Sequence, residues 1–135
     1  MREALAQAHQ ALYLSNPNPR VGCVIVRDGQ IIAKGHTQKV GGPHAEVQAL
    51  SDLHSQGLSC EGASIYVTLE PCSHTGRTGP CVDAIIAAKP AKVFIAMQDP
   101  NPLVMGQGIK RLKAAGIEVH CGLLESEAKE LNRGF

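Results

Sequence analysis

The spacing of apolar and polar positions changes several times along the chain, and each change marks an element. "MREALAQAHQAL" has the one-sided pattern of an amphipathic helix, which is expected over 2–14 and is broken by "SNPNP" at 15–19. "VGCVIVRDGQIIAKGH" (21–36) holds two β-rich runs joined at Asp28-Gly29, a hairpin signal. Val40 to Gly42 reads as a loop, and a helix is expected from His44 to about Gln56. "ASIYVTL" (63–69) predicts a third strand, followed by the turn-rich loop "EPCSHTGRTGP" (70–80) and a helix from Cys81 to Lys89 stopped by Pro90. "AKVFIAM" (91–97) predicts a fourth strand and "QDPNPLVMGQG" (98–108) a loop. A helix over Ile109–Ala115 ends at Gly116, "IEVH" (117–120) is a short fifth strand, and Ser126–Asn132 a last helix. One hairpin followed by β-α units argues for a mixed sheet with helices on both faces. There is no internal repeat and no low-complexity linker.

Composition narrows the class. With 135 residues, a single domain over 1–135 is expected, and the 44% hydrophobic fraction is that of a globular chain. No apolar run approaches the roughly 20 residues of a membrane span, and the amphipathic N-terminus is not a signal peptide, so a cytoplasmic protein is expected. Thirteen Lys and Arg against twelve Asp and Glu leave a net charge of +1, and aromatics are 3%. Neither figure favours a nucleic-acid or membrane surface. A neutral enzyme or small-molecule binder fits better. The five cysteines are odd in number and come without a secretory signal, which points to a metal site or reactive thiol over a disulfide scaffold.

The candidate chemistry lies at element ends. His44 follows Pro43, Cys72 follows Pro71 at the end of the third strand, and Cys81 follows Pro80 at the start of a helix. One His and two Cys make a three-ligand zinc set, and three protein ligands leave the fourth tetrahedral position for water, as in catalytic sites. The helix start also favours the Cys81 thiolate. Glu46 lies two residues after His44. Helix neighbours advance by roughly 100° each, so the two side chains point to opposite flanks, which suits a site off the helix end better than one on its side. Each feature has a plainer reading. H-x-E is common by chance, Glu46 could only complement the helix dipole, and Cys72 and Cys81 could be buried thiols. Cys23, Cys60 and Cys121 are read as buried thiols, and His9, His54 and His120 as surface or packing residues. "HTGR" places His74 and Arg77 inside the ligand loop. Contact with a substrate, with Arg77 on a phosphate, competes there with a solvated loop; Lys39 and Lys34 are the next candidate cations.

Together, "PHAEV" and "LEPCSHTGRTGPC" resemble the zinc nucleobase-deaminase signature, H-x-E followed by P-C…C. The common form ends P-C-x-x-C, whereas eight residues separate Cys72 from Cys81 here. That spacing, with "NPNPRVGCVIV", "GGPHAEVQAL", "YVTLEPCSHTGRTGPC" and "DPNPLVMGQGIKRLKAAGIEV", resembles the deaminase domain of the bifunctional riboflavin-biosynthesis deaminase/reductase family over essentially the whole chain. Gly79 stands where that family usually has a proline.

The resemblance implies an α/β fold, the cytidine-deaminase-like three-layer α/β/α sandwich on a mixed five-stranded sheet. It implies one zinc per chain on His44, Cys72 and Cys81. The implied substrate is a phosphorylated diaminopyrimidinone with a ribosylamino group, and an exocyclic amine is replaced by oxygen to give an aminouracil and ammonia. Glu46 would take a proton from water and return protons to the ring nitrogen and the leaving amine. Asn18, His36, His74, Arg77, Asp99 and Asn101 would line the substrate pocket; without the resemblance, the two NP motifs read as turns and His36 as a strand-end residue. A homo-oligomer is expected. A reductase domain is expected to be absent, since no G-x-G-x-x-G follows a strand, so the pathway implies a reductase elsewhere. Two other readings remain open: a deaminase of cytosine, guanine or transfer-RNA adenosine, and a non-catalytic zinc-stabilised module with Cys23 as a fourth ligand.

Overall fold

The computed structural model describes residues 1–9, 21–36, 45–71, 81–98 and 106–125. The elements are α1 (Arg2–His9), β1 (Gly22–Arg27), β2 (Gln30–His36), α2 (Ala45–Ser55), β3 (Ser64–Val67), α3 (Cys81–Ala88), β4 (Lys92–Ile95), α4 (Gln107–Ala114) and β5 (Glu118–Cys121). The expected hairpin forms at Asp28-Gly29: both residues have positive φ, 53° and 77°, as a two-residue hairpin turn of matching twist requires. The last expected helix, Ser126–Asn132, and residues 10–14 of the first lie outside the described residues.

The five strands form one mixed sheet in the order β2-β1-β3-β4-β5. β1 runs antiparallel to both β2 and β3, while β3, β4 and β5 are parallel. Two glycines assign the layers. A Cβ on Gly22 would lie 1.7 Å from the Ala4 carbonyl oxygen of α1, and one on Gly35 would lie 2.3 Å from the Ala45 carbonyl oxygen of α2. Gly35 pairs with Cys23, the neighbour of Gly22, and successive strand residues face opposite sides. So α1 and α2 pack on opposite faces, each close enough that only glycine fits beneath it. The α2 face carries the main core, where Ile25, Ile65, Val67, Val93 and Ile95 of the sheet meet Leu53, Val82, Ile85, Ile109 and Leu112 of α2, α3 and α4. The α1 face carries a smaller cluster of Leu5, Ala8, Leu69, Ala96 and Met97. Beside it, Tyr66, Phe94 and His120 stack across three strands with ring centroids 4.6 and 5.1 Å apart.

The edge strand β2 is sealed by α2. Gln48, Asp52 and Gln56 lie one helical turn apart and reach its outer backbone: Gln48 accepts from the His36 N–H at 2.8 Å, Asp52 accepts from the Lys34 N–H at 3.3 Å, and Gln56 donates to the Ile32 carbonyl at 2.9 Å. An edge strand otherwise presents unpaired groups to other chains.

Two expectations need correction. Cys121 is exposed, because β5 is the far edge of the sheet and pairs with β4 alone among the described residues. The helix expected from Ile109 begins at Gln107, two residues earlier. Cys23 and Cys60 are buried as expected. Among the described residues no helix is long and apolar enough to cross a membrane.

Candidate active site

One rim of the sheet gathers the chemistry. β3 and β4 end there, β1 begins there, and β2 ends there with His36 opposite Gly22. The helices point their N-termini at the same rim. α2 starts against Gly35, and α3 ends at the opposite rim, where Gly62 N–H donates to the Lys89 carbonyl. α4 starts beside Glu70 and Pro71. Open α/β sheets place their sites at this end of parallel strands, where free helix N–H groups favour anionic groups.

Among the described residues the buried polar or charged side chains are Glu46, Thr68 and Glu70, and all three are at this rim. Glu46 sits in the first turn of α2 and is 4% exposed. Burying a carboxylate costs several kcal/mol unless it is partnered. Cys23 lies beneath it on β1: burial first, then the nearby Glu46 charge, push the thiol well above its usual range, so it is a protonated core thiol. Thr68 donates its N–H to the Gly22 carbonyl, and its hydroxyl accepts the Gly22 N–H at 3.1 Å. Glu70 accepts from the Gly106 N–H at 3.0 Å and the Ile109 N–H at 3.2 Å.

Of the expected site residues, the structure describes His36 and Glu46: Glu46 is buried in the first turn of α2, and the His36 backbone N–H donates to Gln48 of the same helix. His44, Cys72, Asn18, His74, Arg77, Asp99 and Asn101 lie outside the described residues, and Cys81 is placed only by its backbone at the first position of α3. Their described neighbours Ala45 and Pro71, with the Cys81 backbone, are all at the same rim. In donor chemistry, one imidazole and two thiols, those of His44, Cys72 and Cys81, suit zinc. Sequence reasoning missed Glu70, Thr68 and Gln48. The signal for Glu70 was a lone carboxylate wedged between Leu69 and Pro71 at a strand end.

Comparison with known proteins matches residues 1–97 to the family described as the cytidine and deoxycytidylate deaminase zinc-binding region. The chain belongs to that zinc-binding deaminase family. The riboflavin biosynthesis protein RibD of Escherichia coli is 55% identical over 135 residues, which is all of this chain and 36% of that protein. A solved structure of Acinetobacter baumannii RibD is 51% identical with a TM-score of 0.94, covering 99% of this chain and 37% of the other. The structure of a diaminohydroxyphosphoribosylaminopyrimidine deaminase/5-amino-6-(5-phosphoribosylamino)uracil reductase from Thermotoga maritima is 46% identical with a TM-score of 0.92, covering 97% of this chain and 37% of that one. The chain therefore spans about a third of the length of the curated relatives it matches. The deaminase family accounts for the expected cytidine-deaminase-like sandwich and for zinc as the metal, and its matched region contains Glu46 and the rim built around it.

Proposed function

We propose that this chain hydrolytically deaminates a phosphorylated diaminopyrimidinone bearing a ribosylamino group, releasing ammonia and an aminouracil for riboflavin synthesis. The observation that carries this reading is Glu46, a carboxylate buried in the first turn of α2 at the rim where Pro71 and the Cys81 backbone also lie. Similarity over nearly the whole chain to a deaminase/reductase named for this substrate supports the choice of pyrimidine.

In this reading, His44, Cys72 and Cys81 hold one zinc per chain. A bound zinc lowers the pKa of a coordinated water from about 15.7 to about 7. Glu46 accepts the proton of the attacking water, and hydroxide adds to the amidine-like ring carbon. Glu46 returns that proton to the ring nitrogen, then takes the proton of the added hydroxyl and delivers it to the exocyclic amine, so the C–N bond breaks with ammonia as the leaving group and a carbonyl remains. Asn18, His36, His74, Asp99 and Asn101 line the pocket, and Arg77 holds the phosphate.

Residues 1–135 act as one domain in the cytoplasm and assemble as a homo-oligomer. A reductase, fused or separate, consumes the product. The test is ammonia release from the phosphorylated diaminopyrimidinone beside cytosine, guanine and transfer RNA, together with metal analysis. The pyrimidinone should be turned over at least a hundredfold faster than the others, since a site built to bond a polar substrate rejects analogues lacking those groups by about 10⁴ or more. Comparable rates on cytosine, guanine or transfer RNA would contradict the substrate assignment.

A further inference from the structure

Two consecutive residues of β2 hold the first turn of α2, and Glu46 lies between the points they hold. At Gly35 the hold is contact. A Cβ there would lie 2.3 Å from the Ala45 carbonyl oxygen and 2.7 Å from the Ala49 nitrogen. Those are the two atoms that the first i to i+4 hydrogen bond of α2 joins, so the helix start rests on bare strand backbone. At His36 the hold is a bond: its backbone N–H donates to the Gln48 side-chain oxygen at 2.8 Å. Ala45 precedes Glu46 and Gln48 follows it by two residues, so the stretch carrying the buried carboxylate is tied to the strand on both sides. The lower bonds of the same row differ. Asp52 and Gln56 are exposed where Gln48 is half-buried, and they meet β2 at Lys34 and Ile32, farther from the rim.

We infer that Gln48 is a positioning residue for the proposed reaction: its bond to His36, with the contact at Gly35, sets where the first turn of α2 stands and so where the Glu46 carboxylate stands. This rests on the function proposed above. Asp52 and Gln56 hold the later turns of α2, and a helix held there alone can still shift or fray at its start. A general acid–base group must lie within hydrogen-bond reach of the proton it moves. A misplacement of about 1 Å can cost about a hundredfold in rate. Gln48 accepts from a backbone N–H and leaves the proton transfer to Glu46.

The test compares the zinc-loaded full chain with Gln48→Met, Gly35→Ala and the double variant Asp52→Ala, Gln56→Ala. Methionine keeps the length of Gln48 and offers no oxygen to His36, while alanine at 35 lifts the helix start and keeps Gln48. Amide hydrogen exchange, read without substrate, should rise about tenfold across 45–50 in the first two variants and stay at the wild-type level there in the double variant. With the phosphorylated pyrimidinone, kcat should fall about tenfold or more in the first two with KM changed less than about threefold, and the double variant should keep the wild-type kcat. Zinc content of Gln48→Met should stay at the wild-type level, because Gln48 is no ligand. Unchanged exchange across 45–50 in Gln48→Met would overturn the inference. So would raised exchange with unchanged kcat, which would make Gln48 part of the edge seal alone, or an equal fall of kcat in the double variant, which would make the effect one of stability. An inactive wild-type chain counts against the proposed function, and the exchange readout, which needs no substrate, still decides whether Gln48 holds the turn. If Gly35→Ala does not fold, Gln48→Met and the double variant carry the comparison.

Discussion

Glu46 lies in the first turn of α2, His44 precedes it by two residues in the sequence, and the two have different work in the proposed reaction. Glu46→Gln keeps the size and the helix start but cannot carry a proton, so zinc content should stay near one per chain while turnover falls by about 10²–10⁴. His44→Ala should lose both zinc and activity. Metal analysis and ammonia release on the same two samples check this; loss of metal in Glu46→Gln as complete as in His44→Ala would make Glu46 a ligand. At Arg77, an alanine should cost about 1.5–3 kcal/mol of charge-assisted bonding, visible in kcat/KM with the phosphorylated substrate and absent with its dephosphorylated analogue. Equal losses on both would move the phosphate to Lys39 or Lys34. At this scale Glu46 could be singled out as a candidate from sequence, because a motif of residue types at fixed spacing needs no tertiary information, and the structure buries it in the first turn of α2. The sequence could not mark Glu70, whose partners Gly106 and Ile109 lie 36 and 39 residues away and are backbone groups that any residue would offer. Nor could it tell Cys23 from Cys121. Both lie in strands, and only the place of each strand in the sheet buries one and exposes the other.

At the scale of elements, the patterned segments were the legible ones. The hairpin followed from Asp28-Gly29, and α2 and α3 lie within a residue of their expected bounds because proline at one end and a break in periodicity at the other are local signals. β3 is shorter than the apolar run "ASIYVTL" suggests, since the Thr68 hydroxyl takes the Gly22 N–H that a ladder carbonyl would otherwise receive. α4 starts early because Glu70 caps it from another element, which turns "GQG" from a loop signal into a helix start. The seal between α2 and β2 makes a prediction of its own. Replacing Gln48, Asp52 and Gln56 together by alanine should cost about 1–3 kcal/mol, less than three full hydrogen bonds because Asp52 and Gln56 are exposed and water can replace them. It should also open the β2 edge, so chemical denaturation should show lower stability and size-exclusion chromatography new higher-order species. Unaltered stability and size would mean that the seal is incidental. Gly22→Ala should be more severe, since its Cβ would meet the α1 backbone at 1.7 Å and neither partner is the movable end of a side chain.

Over the whole molecule, the order β2-β1-β3-β4-β5 brings distant parts of the chain to one rim, with α1 behind the sheet and α2, α3 and α4 before it. The mixed sheet and its two helical layers were legible from one hairpin followed by β-α units. The strand order was not, because β1 pairs with β3 across the whole of α2 and no local pattern encodes that choice. A metal held by His44, Cys72 and Cys81 would tie together parts of the chain that are distant in sequence, so stripping zinc should lower the melting temperature by several degrees, and reloading should restore it. The most direct measurement is ammonia release from the phosphorylated diaminopyrimidinone by the zinc-loaded, the stripped and the reloaded chain. The account predicts one ammonia per aminouracil formed by the loaded chain, loss of turnover on stripping, and recovery on reloading with zinc. A zinc-loaded chain that forms no aminouracil, or a stripped chain that turns over as fast as the loaded one, would contradict it.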